Sequence, residues 1–293
     1  MQGEWRLNLP GEIIFGRGAV QRSGEVGRRL GARRVLLITD AGLVAAGLHK
    51  GVELALTEAG IEWERFDGGG AKPTLQMVLA CAGFARRAQY DALVALGGGS
   101  NIDLAKAVAV VLRYGGQAED YFGVNVVPGP VVPLVAISTT AGTGSEVSGA
   151  SVLADPANRR RGAIMSNFIR PLVAIYDPLL TLSCPPQVSA DAGIDALTHA
   201  VEAYMVVGYE TEMAEHDPGD IYQGRFPVSD LLAERAIALV GRYLRRAVFV
   251  AGDVEAHEGM HLASLLAGMA FSNAGLTAVH ALEYPMGVEA GTT

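Results

Sequence analysis

The chain has 293 residues, half of them hydrophobic, and a formal net charge of −8 at pH 7. This length and hydrophobic content suit one large or two ordinary folded domains and exclude an intrinsically disordered protein. Acidic and basic residues are interspersed, and the one basic block, Arg159-Arg160-Arg161, is interpreted as a solvated turn. The charge pattern therefore predicts neither a nucleic-acid partner nor an anionic membrane partner.

The cysteine content predicts a reducing compartment. Cys81 and Cys184 stand in unrelated contexts and lack the spacing of a metal site, which argues against a disulfide framework. The first residues do not read as a basic and then apolar leader, and no apolar run reaches about 18 residues without a charge or a glycine. We therefore expect a cytoplasmic protein that does not associate with membranes.

In the first half of the chain, short β-branched runs alternate with longer amphipathic stretches. This alternation is typical of βαβ units around a parallel sheet. The predicted strands are 34–40, 61–66, 91–96 and 132–138, and the predicted helices are 47–59, 74–87 and 102–112. The predicted fold class of this half is an α/β domain with a parallel sheet.

From about residue 179 onward, Ala, Leu and Val recur at helical spacing. This periodicity predicts helices over 187–205, 229–249 and 259–270. Residues 206–226, which contain Gly, Pro and acidic side chains, are predicted to form a surface insertion. The break at Cys184-Pro185-Pro186 places a domain boundary here, with an α/β domain over 1–182 and an all-helical domain over 183–293.

Two glycine-rich loops follow predicted strands. Gly97-Gly98-Gly99-Ser100 lies between a strand and a helix, where glycines permit close approach of a phosphate and the helix N-terminus offers free N–H donors. The motif matches neither G-x-G-x-x-G nor a P-loop, and such turns are also common for purely structural reasons. The second loop, residues 138–146, is rich in hydroxyls and glycine. Together the loops predict a nucleotide crevice at the strand ends.

Asp40 closes the first predicted strand of the sheet. An acidic residue in this position accepts a hydrogen bond from a ribose hydroxyl and repels a 2′-phosphate, which favours NAD over NADP. The alternative interpretation is an ordinary helix N-cap or turn residue.

Asp195 and His199 stand four residues apart in a predicted helix, and His280 follows in another helical pattern. The spacing of the first two places both side chains on one helix face, where they can bind a single divalent metal. The alternative is local hydrogen bonding by Asp195 and two satisfied core histidines. One carboxylate and two imidazoles suit Fe(II), Zn(II), Mn(II) or Co(II).

Four segments together resemble the iron-containing, metal-dependent (group III) alcohol dehydrogenase family. They are residues 97–106, 139–146, 195–199 and 271–280, which follow the family's order over nearly the whole chain. The resemblance implies NAD or NADP and a divalent metal bound between an α/β domain and a helical domain. Iron(II) is favoured, with zinc(II) as the alternative. The metal ligands implied are Asp195, His199 and His280. The cofactor contacts implied are Asp40, Lys72, Gly98, Gly99, Ser100, Asp103, Thr139, Thr140 and Thr143.

The chain differs from the family pattern in three places, and each difference leads to a prediction. Family members use a fourth metal ligand in a His-Gly pair beyond the segment of His280, and the chain stops at Thr293 before such a pair, so a C-terminal truncation is expected. Tyr284 replaces a family histidine associated with proton relay and is the candidate catalytic residue, or else a wall residue beside Pro285. Lys72 in place of an asparagine, with the insertion around 222–230, favours the hydroxyacid-oxoacid transhydrogenase branch.

These features predict a metal-dependent, NAD(P)-linked oxidoreductase that interconverts a small alcohol and its aldehyde or ketone by hydride transfer. The alternatives are a transhydrogenase acting on hydroxy acids, and a nucleotide-binding fragment without turnover. A sugar-phosphate cyclase or glycerol-phosphate dehydrogenase requires Lys and Arg around a phosphate, and residues 188–204 carry none. A homodimer is expected, with the apolar run Glu12-Ile13-Ile14-Phe15 pairing across it.

Overall fold

The computed structural model describes residues 4–158, 160–211 and 220–290. Within these residues the strands are β1 (Glu12–Phe15), β2 (Arg34–Asp40), β3 (Glu62–Gly69), β4 (Ala92–Gly97), β5 (Gly123–Val124), β6 (Leu134–Ser138), β7 (Ala150–Asp155), β8 (Arg160–Met165) and β9 (Val173–Tyr176). The α-helices are α1 (Ser23–Arg29), α2 (Ala41–Ala45), α3 (Lys50–Glu58), α4 (Leu75–Ala85), α5 (Gly99–Tyr114), α6 (Pro186–Met205), α7 (Pro227–Phe249), α8 (Val254–Ala274) and α9 (Ala278–Ala290).

A six-stranded parallel sheet with the order β1-β9-β6-β4-β2-β3 organises the first half of the chain. Its central strands are continuous apolar runs because both faces are covered by other elements. Leu36 and Ile38 of β2 pack in a core with α4 and α5, whereas Val35 and Leu37 pack with α1 and α3 on the other face. The predicted α/β class with a parallel sheet is confirmed.

A second, smaller sheet, β5-β8-β7, packs against α5 through β7 and was not predicted from the sequence. β7 and β8 pair antiparallel, and β5 adds in parallel to β8. Interpreting the arginine triplet as a solvated turn was therefore wrong for Arg160 and Arg161, which begin β8, while Arg159 lies outside the described residues. Arg160 forms an ion pair with Asp155 at 3.0 Å because the antiparallel register places the two residues opposite each other.

The second half is helical, as predicted. α6, α7 and α8 pack against one another through small alanine-rich faces, which allow close approach of the helices. The helical part begins at Pro186, and the boundary between 182 and 183 stays a prediction. Among the described residues no single helix is long and apolar enough to cross a membrane. Only when α8 and the stretch Ala278–Gly287 are taken together, as a pair bent by 84°, are the length and composition sufficient.

His261 is a fully buried histidine in α8. Its ring lies edge-on to the ring of Tyr176, with 5.4 Å between the centroids. Within the described part of the chain, neither ring nitrogen makes a hydrogen bond of good geometry, and the nearby backbone of Thr140 favours the charged ring too little to offset its burial. Burial therefore lowers the pKa of His261 to about 3, so the folded protein holds this imidazole neutral.

The buried neutral His261 should make the protein sensitive to acid. The unfolded chain binds a proton at His261 below about pH 6.5 and the folded chain does not, so stability falls as the pH drops from about 6.5 toward about 3. Between about pH 7.5 and about pH 5 this residue alone should lower the free energy of unfolding by about 2 kcal/mol. In urea unfolding at both pH values, His261→Met should lose that much less than the parent protein. An equal loss in both proteins would contradict the assignment.

Candidate functional site

Asp195, His199 and His280 meet at one point between α6 and α9. The four-residue spacing puts the first two on one face of α6, and α9 brings His280 to the same face. Asp195 Oδ1 lies 3.6 Å from His199 Nδ1 and 3.7 Å from His280 Nε2. One candidate ligand atom from each residue lies within 4.8 Å of the others. A single cation bonded to these three atoms at about 2.0–2.2 Å would hold them at similar distances from one another.

The environment of His199 fits a cation ligand. Its ring stacks on Phe271 at 4.2 Å and on His280 at 4.5 Å between centroids. Its Nδ1 atom is buried and has no hydrogen-bond partner among the described residues. Burial lowers the pKa of His199, which favours the neutral imidazole that metals bind. An orphaned buried nitrogen beside a carboxylate and a second imidazole is the donor set of a divalent metal site, so the residues present fit the metal.

His280 is held from its other side by Glu202, a residue that the sequence analysis missed. His280 Nδ1 forms a short hydrogen bond with the Glu202 carboxylate. Burial opposes protonation of His280, but the neighbouring Asp195 and Glu202 carboxylates outweigh it and raise the pKa of the ring. A carboxylate behind a ligating imidazole is a common outer contact of metal sites. Its spacing in the sequence could have identified it, since Glu202 lies seven residues after Asp195 and therefore on the same face of α6.

The two glycine-rich loops lie side by side because β4 and β6 are neighbours, with Gly97 paired to Ser138. They approach closely: a Cβ on Gly99 would lie 2.7 Å from Thr143 Oγ1, and one on Gly98 would lie 3.1 Å from Thr140 Oγ1. Both loops therefore meet at the N-terminus of α5, where the sequence predicts a phosphate.

A cleft of about 980 Å³ contains most of the candidate residues. Its lining includes three metal-ligand candidates and five cofactor candidates. They are Asp195, His199, His280, Lys72, Gly99, Ser100, Asp103 and Thr143. Four other candidates, Asp40, Gly98, Thr139 and Thr140, are not in this lining. The structure therefore brings the predicted metal ligands and part of the predicted cofactor set into one space.

Asp40 acts as the N-cap of α2, which is the alternative that the sequence left open. Its Oδ1 accepts from Leu43 N at 3.0 Å, and its Oδ2 accepts from Asn101 Nδ2 at 2.7 Å. Both carboxylate oxygens thus have protein donors, and a contact from Asp40 to a ribose stays a prediction.

Asp103 and Lys106 hold the second loop onto α5. Asp103 accepts from Ser145 Oγ at 2.5 Å and from Val152 N at 2.9 Å. Lys106 is fully buried and donates to Ser145 Oγ at 2.9 Å and to Ser148 Oγ at 3.1 Å. Burial lowers the pKa of Lys106 to about 8, although Asp103 opposes the shift. The polar contacts of Asp103 thus serve the protein itself, and a cofactor contact from this residue stays a prediction.

Glycines let the second loop pack against the helical half. A Cβ on Gly142 would lie 2.7 Å from Ala192 O in α6, and one on Gly144 would lie 2.6 Å from the Cα of Gly268 in α8. Gly144 also adopts φ 60°, in the left-handed region. Because these neighbours are backbone atoms, no side-chain rearrangement would make room for a larger residue.

Gly144→Ala should destabilise the protein by about 2–5 kcal/mol, since it adds left-handed strain to a backbone clash. Gly83→Ala is the matched control, because Gly83 lies in α4 with nothing within 4 Å of an added Cβ. The control should be neutral or gain up to about 1 kcal/mol. Urea unfolding measures both. Equal stabilities of the two variants would refute the packing described for this loop.

Tyr284 belongs to α9, but its side chain lies outside the described residues. Its role as the catalytic residue stays a prediction.

The family profile of iron-containing alcohol dehydrogenases matches residues 10–178, and the profile of the family's C-terminal region matches residues 222–293. The chain belongs to the iron-containing alcohol dehydrogenase family. Two relatives illustrate its range. The NAD-dependent methanol dehydrogenase of Bacillus methanolicus is 38% identical, over 95% of this chain and 69% of that protein. The mitochondrial hydroxyacid-oxoacid transhydrogenase of Caenorhabditis elegans is 36% identical, over 95% of this chain and 62% of that protein.

Solved structures of this family superpose on nearly the whole chain. A 1,3-propanediol oxidoreductase matches with a TM-score of 0.91 and 37% identity, covering 99% of this chain and 72% of that one. Sulfoacetaldehyde reductase from Bifidobacterium kashiwanohense in complex with NAD+ matches with a TM-score of 0.85 and 30% identity, again over 99% and 72%. The iron-containing alcohol dehydrogenase fold is thus shared along the described chain.

Proposed function

We propose that the chain forms an NAD- and metal-dependent oxidoreductase that interconverts a small alcohol and its aldehyde or ketone. The observation that carries the proposal is that the glycine-rich turn of α5 and the Asp195, His199 and His280 group line the same cleft. Hydride transfer requires a coenzyme and a polarised substrate side by side in a fixed geometry. Membership of the family supports the same reaction.

Asp195, His199 and His280 are the residues proposed to hold the metal. One carboxylate with two imidazoles suits both Fe(II) and Zn(II), and the iron-containing family favours Fe(II). When bound, the metal supplies a Lewis acid that stabilises negative charge on the substrate oxygen. The ring of Phe271, stacked on His199 and lining the cleft, keeps water from one side of the group. Such exclusion strengthens the electrostatic interactions of the site.

The N-terminus of α5 is proposed to bind the pyrophosphate of the coenzyme. Gly99 and Ser100 form its first turn and line the cleft, and no side chain caps Gly98 before them. Free N–H groups there suit an anion. Thr143, Lys72 and Asp103 complete the proposed set on the cleft wall.

The coenzyme is proposed to be NAD, whose nicotinamide exchanges hydride with the substrate carbon. The carboxylate of Asp40 at the end of β2 would repel a 2′-phosphate. The proposed coenzyme contacts also include Asp40, Gly98, Thr139 and Thr140. A proton-relay role for Tyr284 is proposed as well.

Asp195→Asn tests the metal-dependent reaction. The substitution keeps the shape and removes the charge, so NAD reduction with a primary alcohol and added Fe(II) or Zn(II) should fall. We expect the loss in kcat/KM to exceed the roughly 10- to 100-fold that changes behind a ligand cause. Asp191→Asn, one turn earlier and exposed on the same helix, is the matched control. If both variants keep the parent rate, Asp195 has no part in the reaction.

A hydroxyacid-oxoacid transhydrogenase is the second candidate, because relatives of that name match 95% of the chain at 36% identity. Such an enzyme keeps its nicotinamide bound and passes hydride between two acids. Exchange between a hydroxy acid and an oxo acid without added NAD would favour this candidate. Alcohol oxidation that depends on freely added NAD would exclude it.

A homodimer and a cytoplasmic location are also proposed. β1 is an edge strand of the six-stranded sheet, and no described strand pairs with the outer side of Glu12–Phe15, where we propose that another copy pairs. Cys81 and Cys184 are both free thiols, which suits a reducing compartment.

A further inference from the structure

Glu202 is a buried carboxylate placed between α6 and the start of α9. It is 3% exposed. Its Oε1 accepts from Thr277 N at 3.1 Å, from Thr277 Oγ1 at 3.0 Å and from Val279 N at 2.8 Å. Its Oε2 accepts from Nδ1 of His280. One side chain of α6 therefore binds both the backbone at the N-terminus of α9 and the imidazole that α9 presents.

These contacts satisfy donors that would otherwise have no partner. The first N–H groups of a helix lack intrahelical acceptors, and a carboxylate placed there is also favoured by the helix dipole. Burial alone would raise the pKa of Glu202, but the hydrogen bonds from His280, Thr277 and Val279 lower it. The hydrogen bonds from Thr277 N and Val279 N give the side chain the geometry of an N-cap supplied by a different helix.

The same contact decides which nitrogen of His280 faces the cleft. When the ring is neutral, the bond to Glu202 keeps the proton on Nδ1 and leaves Nε2, 3.7 Å from Asp195 Oδ1, as the nitrogen that can bind a cation. A neutral imidazole has one donor and one acceptor nitrogen, so its partner on one side fixes its function on the other.

We propose that Glu202 is a positioning residue of the metal site, which orients His280 and selects the tautomer whose Nε2 can bind the cation. The inference rests on the proposed function, because it assumes a metal at Asp195, His199 and His280. A purely structural role, in which Glu202 only caps α9, makes different predictions for the variants below.

Glu202→Gln is the main test. The amide keeps an oxygen that can cap α9 but loses the charge and can turn its NH2 group toward His280. We expect the Kd for Co(II), measured on the full chain by competition with a chelator, to rise by about 10- to 100-fold. The visible absorption of bound Co(II) should change as well. Glu234→Gln, an exposed glutamate of α7, is the matched control and should bind Co(II) like the parent.

Thr277→Val separates capping from positioning. It removes one donor to Glu202 and leaves the bond from His280 in place. We expect a lower thermal midpoint with Co(II) affinity close to that of the parent. The proton NMR spectrum of the Co(II) protein should show an exchangeable, hyperfine-shifted Nδ1–H of His280 in the parent and in Thr277→Val. That signal should be lost in Glu202→Gln.

The possible failures are distinguishable. If the parent binds Co(II) and Glu202→Gln binds it equally well with the same spectrum, the positioning role is wrong while the proposed function survives. If Asp195→Asn and the parent both fail to bind Co(II), the metal site itself is wrong, and the role of Glu202 is overturned with it. If Glu202→Gln does not fold, Glu202→Asp provides the same test, because its shorter carboxylate withdraws from the ring. Loss of the Nδ1–H signal in Glu202→Asp would support the positioning role, and an unchanged signal would contradict it.

Discussion

The close packing of residues 139–146 between the sheet and the helices is the constraint on which the site depends. Gly142 contacts α6, Gly144 contacts α8, and Thr143 contacts the first turn of α5. A further apolar cluster, with Val147, Tyr176 and Leu265 among its members, joins the sheet to α8 behind this loop. The spacing between the glycine-rich turn of α5 and the Asp195, His199 and His280 group is therefore set by contacts that leave no room for a Cβ. Two halves of different architecture thereby line one cleft.

Two buried polar networks support that cleft from opposite sides. On the sheet side, Asp103 and Lys106 hold the loop onto α5 through Ser145. On the helical side, Glu202 holds the start of α9 and the ring of His280. Each network satisfies its own donors and acceptors internally, which is what makes buried polar groups tolerable.

Local patterns in the sequence were sufficient where burial on both faces leaves one continuous apolar run. β2 covers the predicted 34–40 because a buried parallel strand reads as one apolar run. The predicted start of α5 at 102 was too late, since part of the glycine-rich turn is itself the first helical turn, from Gly99. β7 and β8 were missed because alternating, half-polar strands with arginines resemble a turn.

The site was predictable where spacing along one helix, or a motif shared with a known family, carries the information. Asp195 and His199 could be paired from their four-residue separation, as could His280 through the family resemblance, whereas Glu202 acquires its partners only when α9 docks on α6. The tight contacts of Gly142 and Gly144 were equally hidden, because they join residues more than 45 positions apart in the chain. The domain boundary and the role of Tyr284 stay predictions.

Anomalous diffraction at a metal absorption edge, from crystals of the full chain grown with Fe(II) or Zn(II), tests the central claim most directly. We expect one peak within about 2.0–2.2 Å of a ligand atom from each of Asp195, His199 and His280. A peak that touches fewer than two of these residues, or a cleft that binds the metal elsewhere, would contradict it.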